Sequence, residues 1–261
     1  MLRPRVIPCL LIHEGGLVKT VGFRNPKYVG DPINAVKIFN EKECDELIVL
    51  DIDASARGSE PDYKTIAHLA AECRMPLAYG GGVRSAEQAK RIIALGVEKV
   101  TLSAAAIERM SLVGEIAEAV GSQSVAVVLD VKKKLLGGYE VFTHNGRRGT
   151  GRSPVELARE AQACGAGEIV VNAIDRDGEM KGYDLALAAK VRDVISVPLT
   201  VLGGAGSLQD IEALIRHCGT VGAAAGSLFV FKGTYRAVLI NYPQHAQKEE
   251  IFRSALAERP R

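Results

Sequence analysis

Short apolar runs rich in β-branched residues recur along the chain and alternate with stretches of amphipathic, helix-like period. The runs cover residues 6–12, 46–52, 77–79, 100–103, 125–131, 169–174, 199–202 and 221–225. They are near-continuously apolar, as strands covered on both faces must be. Between them lie helical patterns over residues 32–42, 63–73, 86–95, 112–120, 154–164, 185–194 and 208–216. Start signals precede most of these patterns: Asp31-Pro32, Ser85, Ser111, Ser153-Pro154, Asp184 and Ser207. Eight strands alternating with helices predict a closed parallel (β/α)8 TIM barrel.

The two halves of the chain repeat one another with a shift of roughly 120 residues, which predicts a two-fold half-barrel pseudo-repeat. Glu46-Leu47-Ile48-Val49-Leu50 recurs as Glu168-Ile169-Val170-Val171-Asn172, and Asp53 falls opposite Asp175. Tyr79-Gly80-Gly81-Gly82-Val83 ends one apolar run, and Leu202-Gly203-Gly204-Ala205-Gly206 ends its counterpart. Glycine has no side chain to hold a ligand away, so amides at such strand ends can approach a phosphate. Each cluster is followed by a helical stretch and a small-residue strand, so the pair reads as a duplicated phosphate-binding unit, with Gly82 and Ser103 in one half and Gly203, Gly204, Gly226 and Ser227 in the other. The plainer reading is two tight strand-to-helix turns.

Composition narrows the class. A chain of 261 residues, 47% hydrophobic and 25% charged, has the size and balance of one barrel domain. The barrel is expected over residues 1–243, with residues 244–261 as a polar tail or short helix. A formal net charge of +2 gives no nucleic-acid surface. No stretch is long enough to span a membrane, and no signal segment is evident, so a cytoplasmic enzyme is expected. The five cysteines are odd in number and contain no C-x-x-C pair, so neither a disulfide framework nor a metal site is expected. Nothing in the pattern calls for a cofactor.

Chemistry in such a barrel sits at the carboxyl ends of the strands. That rule selects Asp51, Asp53, Asp130, Asp175 and Asp177. Strand-end aspartates also cap helices and shape loops, and for Asp51, Asp53 and Asp175 both readings stand. Asp130 follows a wholly apolar run and precedes Lys132, Lys133 and Lys134, a setting suited to general acid–base chemistry.

These residues carry a resemblance to a known family. Val18-Lys19, Gly30-Asp31-Pro32, Asp45-Glu46-Leu47, Leu50-Asp51-Ile52, Gly80-Gly81-Gly82, Gly121-Ser122-Gln123, Val141-Phe142-Thr143, Ile174-Asp175-Arg176-Asp177-Gly178, Gly182-Tyr183-Asp184 and Gly203-Gly204-Ala205-Gly206 resemble the cyclase subunit of imidazole glycerol phosphate synthase. That subunit is a (β/α)8 barrel fed with ammonia by a partner glutaminase. The resemblance implies substrate contacts at Lys19, Asp175, Asp177 and Gly178 together with the glycine clusters. It also implies a ring of Arg5, Glu46, Lys99 and Glu168 that gates ammonia at the amino-terminal face, where the glutaminase docks. The alternative is a salt-bridge plug with no traffic.

Two departures bear on function. The family's cyclase uses two strand-mouth aspartates as acid and base; the second matches Asp130, but the first falls on Leu11, which transfers no proton. His13 and Glu14 are the nearby candidates to replace it. After the fourth strand the family's Asn-Thr is Ser103-Ala104, so one hydroxyl is gone, and the second-half phosphate site is expected to bind the ligand better than the first. A subgroup associated with amidino sugars of surface polysaccharides, including lipopolysaccharide, resembles this chain in Pro8-Cys9-Leu10-Leu11 and Gly16-Leu17-Val18-Lys19-Thr20. The resemblance therefore implies first a synthase subunit that passes ammonia on for amidination of a nucleotide-linked sugar, with a phosphorylated ligand and a separate sugar amidotransferase as partners. The alternatives are the cyclase of histidine biosynthesis and a non-catalytic barrel that activates a glutaminase.

Overall fold

The structure, a computed structural model, describes residues 3–233 and 235–257. Eight strands form the barrel: β1 (Arg5–His13), β2 (Leu47–Asp51), β3 (Leu77–Gly80), β4 (Lys99–Leu102), β5 (Val125–Lys133), β6 (Glu168–Ala173), β7 (Leu199–Leu202) and β8 (Gly222–Ala225). Each pairs in parallel with the next, and β8 returns to β1 with Arg5 opposite Gly222, so the sheet is closed. The (β/α)8 expectation holds, strand for strand, and both glycine clusters stand at the same rim.

Side chains of a strand alternate between faces. On β1, Val6, Leu10 and Ile12 join the core between sheet and helices, while Ile7, Cys9 and Leu11 join a separate cluster inside the barrel. On β5, Val125, Val127 and Leu129 point outward, and Ala126 and Val128 belong to a small inner cluster with Val170.

Among the described residues, eight helices of eight or more residues surround the strands: α1 (Pro32–Glu41), α2 (Tyr63–Glu72), α3 (Ala86–Ala94), α4 (Ser111–Val120), α5 (Pro154–Ala163), α6 (Leu185–Arg192), α7 (Leu208–Cys218) and α8 (His245–Ala257). Asp31, Ser85, Ser153, Asp184 and Ser207 cap their helices through side-chain oxygens, and Ser207 and Asp210 form a reciprocal capping box. Ser111 is a correction: it is the first residue of α4, not its cap. Met110 before it is already helical (φ −63°, ψ −26°), so the chain enters α4 without an extended capping residue.

Two hairpins were not anticipated. After β1 the chain runs Gly16–Val21 and back through Arg24–Gly30; after β5, Tyr139–Thr143 returns antiparallel along the strand end, with Phe142 opposite Asp130. Each extends the first strand of its half-barrel, in keeping with the pseudo-repeat.

The segment after Tyr242 enters α8, which is tied to the barrel floor. Lys248, 2% exposed, donates to Asp45 Oδ1 at 2.6 Å. Asp45 Oδ2 accepts from the Val6 amide (2.9 Å), and the Tyr242 hydroxyl donates to the Val6 carbonyl (2.8 Å). Lys248→Met leaves the Asp45 carboxylate buried without its ammonium and is expected to cost roughly 3–5 kcal/mol. Arg3→Ala, at a half-exposed partner of the same aspartate, is expected to cost roughly 1 kcal/mol or less. Urea unfolding compares them; similar small losses would show that Asp45 does not depend on Lys248.

Candidate active site

A cavity of about 480 Å³ opens at the carboxyl-terminal rim. Its walls include Cys9, Leu11, Lys19, Gly80, Gly81, Gly82, Ser103, Ala104, Asp130, Asn172, Asp177 and Leu202. Asp130 is one of its polar walls. β5 and β6 pair with Asp130 opposite Asn172, and Asn172 Nδ2 donates to Asp130 Oδ1 at 2.9 Å. Ser103 Oγ reaches Asp130 Oδ2 at 3.4 Å. Burial raises the Asp130 carboxyl; the bonds from Asn172 and Ser103 oppose this, and the Asp177 charge adds to it, leaving the group at about 6. A carboxyl poised there can give or take a proton near neutral pH.

On the first-half side, Gly82 turns with φ +75°, and a Cβ there would stand 2.8 Å from the Ser59 carbonyl, so only glycine lets this turn pack beside the mouth. Ser103 and Ala104 face the same space, with Arg84 and Arg109 among the walls. The second-half residues are placed differently. Gly203, Gly204, Gly226 and Ser227 are buried and are not among the cavity's walls. The Lys19 ammonium lies against Gly226, 2.2 Å from where a Cβ would be, and the Gly182 amide donates to the Gly204 carbonyl at 2.9 Å. Of the two clusters, Gly80, Gly81 and Gly82 line this cavity.

Asp177 organises the hairpin after β1. Its Oδ2 accepts from Thr20 Oγ1 (2.6 Å) and the Phe23 amide (3.3 Å), and its Oδ1 lies 3.9 Å from Lys19 Nζ. Gly178 packs beneath Thr20, and Asp175 accepts from the Lys133 amide at 2.8 Å, so both shape loops outside the cavity's walls. Asp51 accepts from the Asp53 and Ala54 amides. His13 and Glu14 do not reach the cavity's walls: His13 Nδ1 is 2.7 Å from Asp53 Oδ1, and Glu14 pairs with Arg57 at 3.1 Å. Burial pushes Asp53 up, but the Glu14 amide and His13 outweigh it and hold this carboxyl below its ordinary value.

At the opposite end, Arg5, Glu46, Lys99 and Glu168 close into a ring in which each cation meets both carboxylates. Arg5 bonds Glu46 and, at 2.7 Å, Glu168; Lys99 bonds Glu46 at 2.8 Å and Glu168 at 2.9 Å. Burial lowers Arg5 and Lys99, but the carboxylates outweigh it and both sit above their ordinary values. Burial raises Glu168, yet the two cations hold it well below the usual carboxylate range. Thr200 Oγ1 donates to Glu168 at 2.6 Å, a fifth member of the ring.

Sequence reading missed Asn172 and Thr200. Both are single polar residues inside apolar strands, and the half-repeat sets Asn172 opposite Leu50. Among the described residues, no group of three or more His, Cys, Asp or Glu is placed to hold a metal ion, and no helix is long and apolar enough to cross a membrane.

The model of the family described as "Histidine biosynthesis protein" matches residues 5–236. The chain belongs to this family. A relative from Leptospira interrogans, named "Putative imidazole glycerol phosphate synthase subunit HisF", is 58% identical over 253 residues, 97% of this chain and 100% of its own. One from Streptomyces coelicolor, named "Imidazole glycerol phosphate synthase subunit HisF", is 42% identical over 230 residues, 88% of this chain and 91% of its own.

Asp130 gives the site a testable pH signature. A carboxyl raised in the fold stabilises it fully below the unfolded value, about 4, and that contribution is lost as pH rises through about 6. Asp130→Asn is therefore expected to be more stable than the parent near pH 7.5, by about 3 kcal/mol, and equal to it near pH 4. Urea unfolding at both pH values measures this; no difference at either would mean that Asp130 titrates like an ordinary carboxylate.

Proposed function

We propose that this barrel is the acceptor subunit of a glutamine-dependent synthase of the imidazole glycerol phosphate synthase type. It takes ammonia from a glutaminase docked over Arg5, Glu46, Lys99 and Glu168 and delivers it to a phosphorylated ligand at the opposite rim. The alignment of ring, lumen and acid carries this reading. Behind the ring the lumen is lined by Ile7, Ile48, Ala78, Ala126, Val128, Val170 and Ala224, and Asp130 stands beyond them. Such a lining suits neutral ammonia and disfavours ammonium, which is costly to desolvate. At the rim, Gly82 and Ser103 are suited to seat the phosphate, Asp130 to exchange the proton, and Asn172 to orient its carboxyl.

The relatives' names favour ring closure in histidine biosynthesis over sugar amidination, since those quoted name imidazole glycerol phosphate synthase and no sugar. One observation favours the second reading, ammonia supply for amidination of a nucleotide-linked sugar by a separate amidotransferase. Leu11 lines the same cavity as Asp130 and offers it no proton partner. Loss of one member of an acid–base pair costs on the order of 10²–10⁴ in rate. A barrel that merely activates its glutaminase has no use for a carboxyl raised to about 6 at the mouth.

Turnover of the cyclase substrate with free ammonia separates the two. Activity in the unaltered protein assigns ring closure to it and shows that Leu11 does not disable the chemistry. No activity there, with weak activity gained in Leu11→Asp, supports the amidination reading. The channel is tested by Lys99→Ala, which leaves two carboxylates facing Arg5 alone. Glutamine-dependent product formation is expected to fall several-fold more than ammonia-dependent formation. An equal fall in both, with the fold intact, would reduce the ring to a plug.

A further inference from the structure

Leu11 leaves Asp130 without a proton partner on β1, yet ammonia chemistry calls for two proton-transfer groups. When ammonia adds to an electrophilic carbon, the C–N bond forms and the bond to the departing group breaks. The added nitrogen gives up a proton, and the departing group takes one. His13 and Glu14, close to Leu11 in sequence, are not walls of the cavity. Asp51, Asp177 and Lys19 line it but are engaged elsewhere. Asp51 Oδ1 accepts from the Asp53 and Ala54 amides, Asp177 holds Thr20 and the Phe23 amide, and Lys19 is buried against Gly226.

His144 is placed differently. It is the one imidazole among the cavity's walls, and it directly follows Tyr139–Thr143, the strand that sets Phe142 opposite Asp130. Its ring is oriented from two sides. Nδ1 lies 3.1 Å from Thr143 Oγ1. Thr143 is 2% exposed and directs its own proton at the Arg148 carbonyl (3.5 Å), so Nδ1–H donates and Nε2 is the atom left to take a proton. Nε2 stands 3.8 Å from Oε1 of Glu108, another wall of the cavity, and Arg148 lies 3.6 Å from the same oxygen.

The backbone marks the same place. His144 and Asn145 take φ values of 53° and 55°, two successive non-glycine residues in the left-handed region. Such conformations cost energy and persist where surrounding structure holds them, often at functional sites. Here the Thr143 and His144 carbonyls both accept from the Arg147 amide at 3.2 Å, and Asn145 Nδ2 donates across the mouth to the Ile52 carbonyl at 2.8 Å. The imidazole is thus pinned to the cavity that holds Leu11 and Asp130.

We propose that His144, oriented by Thr143 and Glu108, is the second proton-transfer group of this cavity and takes the role that Leu11 cannot. Nε2 receives the proton that the added ammonia nitrogen gives up, Asp130 gives one to the departing group, and exchange with water resets both. This role rests on the reading above in that ring closure with ammonia is the chemistry served.

The measurement is turnover of the cyclase substrate with free ammonia by His144→Asn and His144→Gly. Asparagine and glycine both tolerate a positive φ, so the hairpin keeps its backbone. His144→Asn is expected to lose on the order of 10² in kcat with KM little changed. His144→Gly leaves the space of the ring empty, and imidazole added to the buffer is expected to restore its rate several-fold, a rescue that a purely structural role would not show. An unchanged kcat in both variants, or a loss that imidazole does not restore, would overturn the role of His144 and leave the reading above standing. No turnover by the unaltered protein would overturn ring closure and the role of His144 together.

Discussion

The rest of this barrel depends on a ring of four charges at its floor. Arg5 opens β1, Glu46 leads into β2, Lys99 opens β4 and Glu168 opens β6, and each cation grips both carboxylates. Burying four charges is costly, and such a ring is weak evidence of stability by itself. What it does is fix phase. Once Arg5 points inward, Ile7, Cys9 and Leu11 must do so too; once Glu168 points inward, so must Val170 and Asn172. A slip of one residue on any of these strands would put a charge among the helices and an outward valine or leucine in the lumen. The residues at the mouth are thus positioned by those at the floor.

The outer clamp acts on the same two backbone segments. Val6 and Asp45 adjoin Arg5 and Glu46 and point to the opposite face, where Asp45 holds the Val6 amide and the buried Lys248. The inner ring and the outer clamp therefore brace β1 and the entry to β2 from both sides of the sheet. Burial also shapes the chemistry at the far end. At the floor, opposite charges offset desolvation and keep Glu168 ionised. At the mouth, Asp130 has neutral donors and another carboxylate for neighbours, so desolvation prevails and the group rises to about 6.

Much of this was legible in the residues. The eight strands show because both of their faces are buried, which makes them continuous apolar runs bounded by caps and glycine. The same property hid which face each residue takes, and Asn172 and Thr200 went unread because hydropathy does not alternate there. The rim hairpins were illegible for the converse reason. Arg24–Gly30 is largely exposed and polar, and its pairing with Gly16–Val21, not its pattern, makes it a strand. The two glycine clusters are spelled alike. What separates them is tertiary: the Lys19 ammonium of the first-half hairpin lies against Gly226, whereas Gly82 packs on the Ser59 carbonyl and Ala54.

That asymmetry has a single anchor. Asp177, at the rim beyond β6, holds Thr20 and the Phe23 amide and stands near Lys19. Through Lys19 it bears on the packing of Gly226; through Phe23 it sets a wall of the cavity. A carboxylate from one half-barrel thus fixes the hairpin of the other. This cross-half contact folds the hairpin after β1 toward β6, while Gly80, Gly81 and Gly82 line the cavity. The hairpin after β5 instead extends Asn145 to the carbonyl of Ile52, beyond β2. Each hairpin therefore rests on the other half of the barrel, so the mouth is assembled from both halves although each half carries its own glycine cluster.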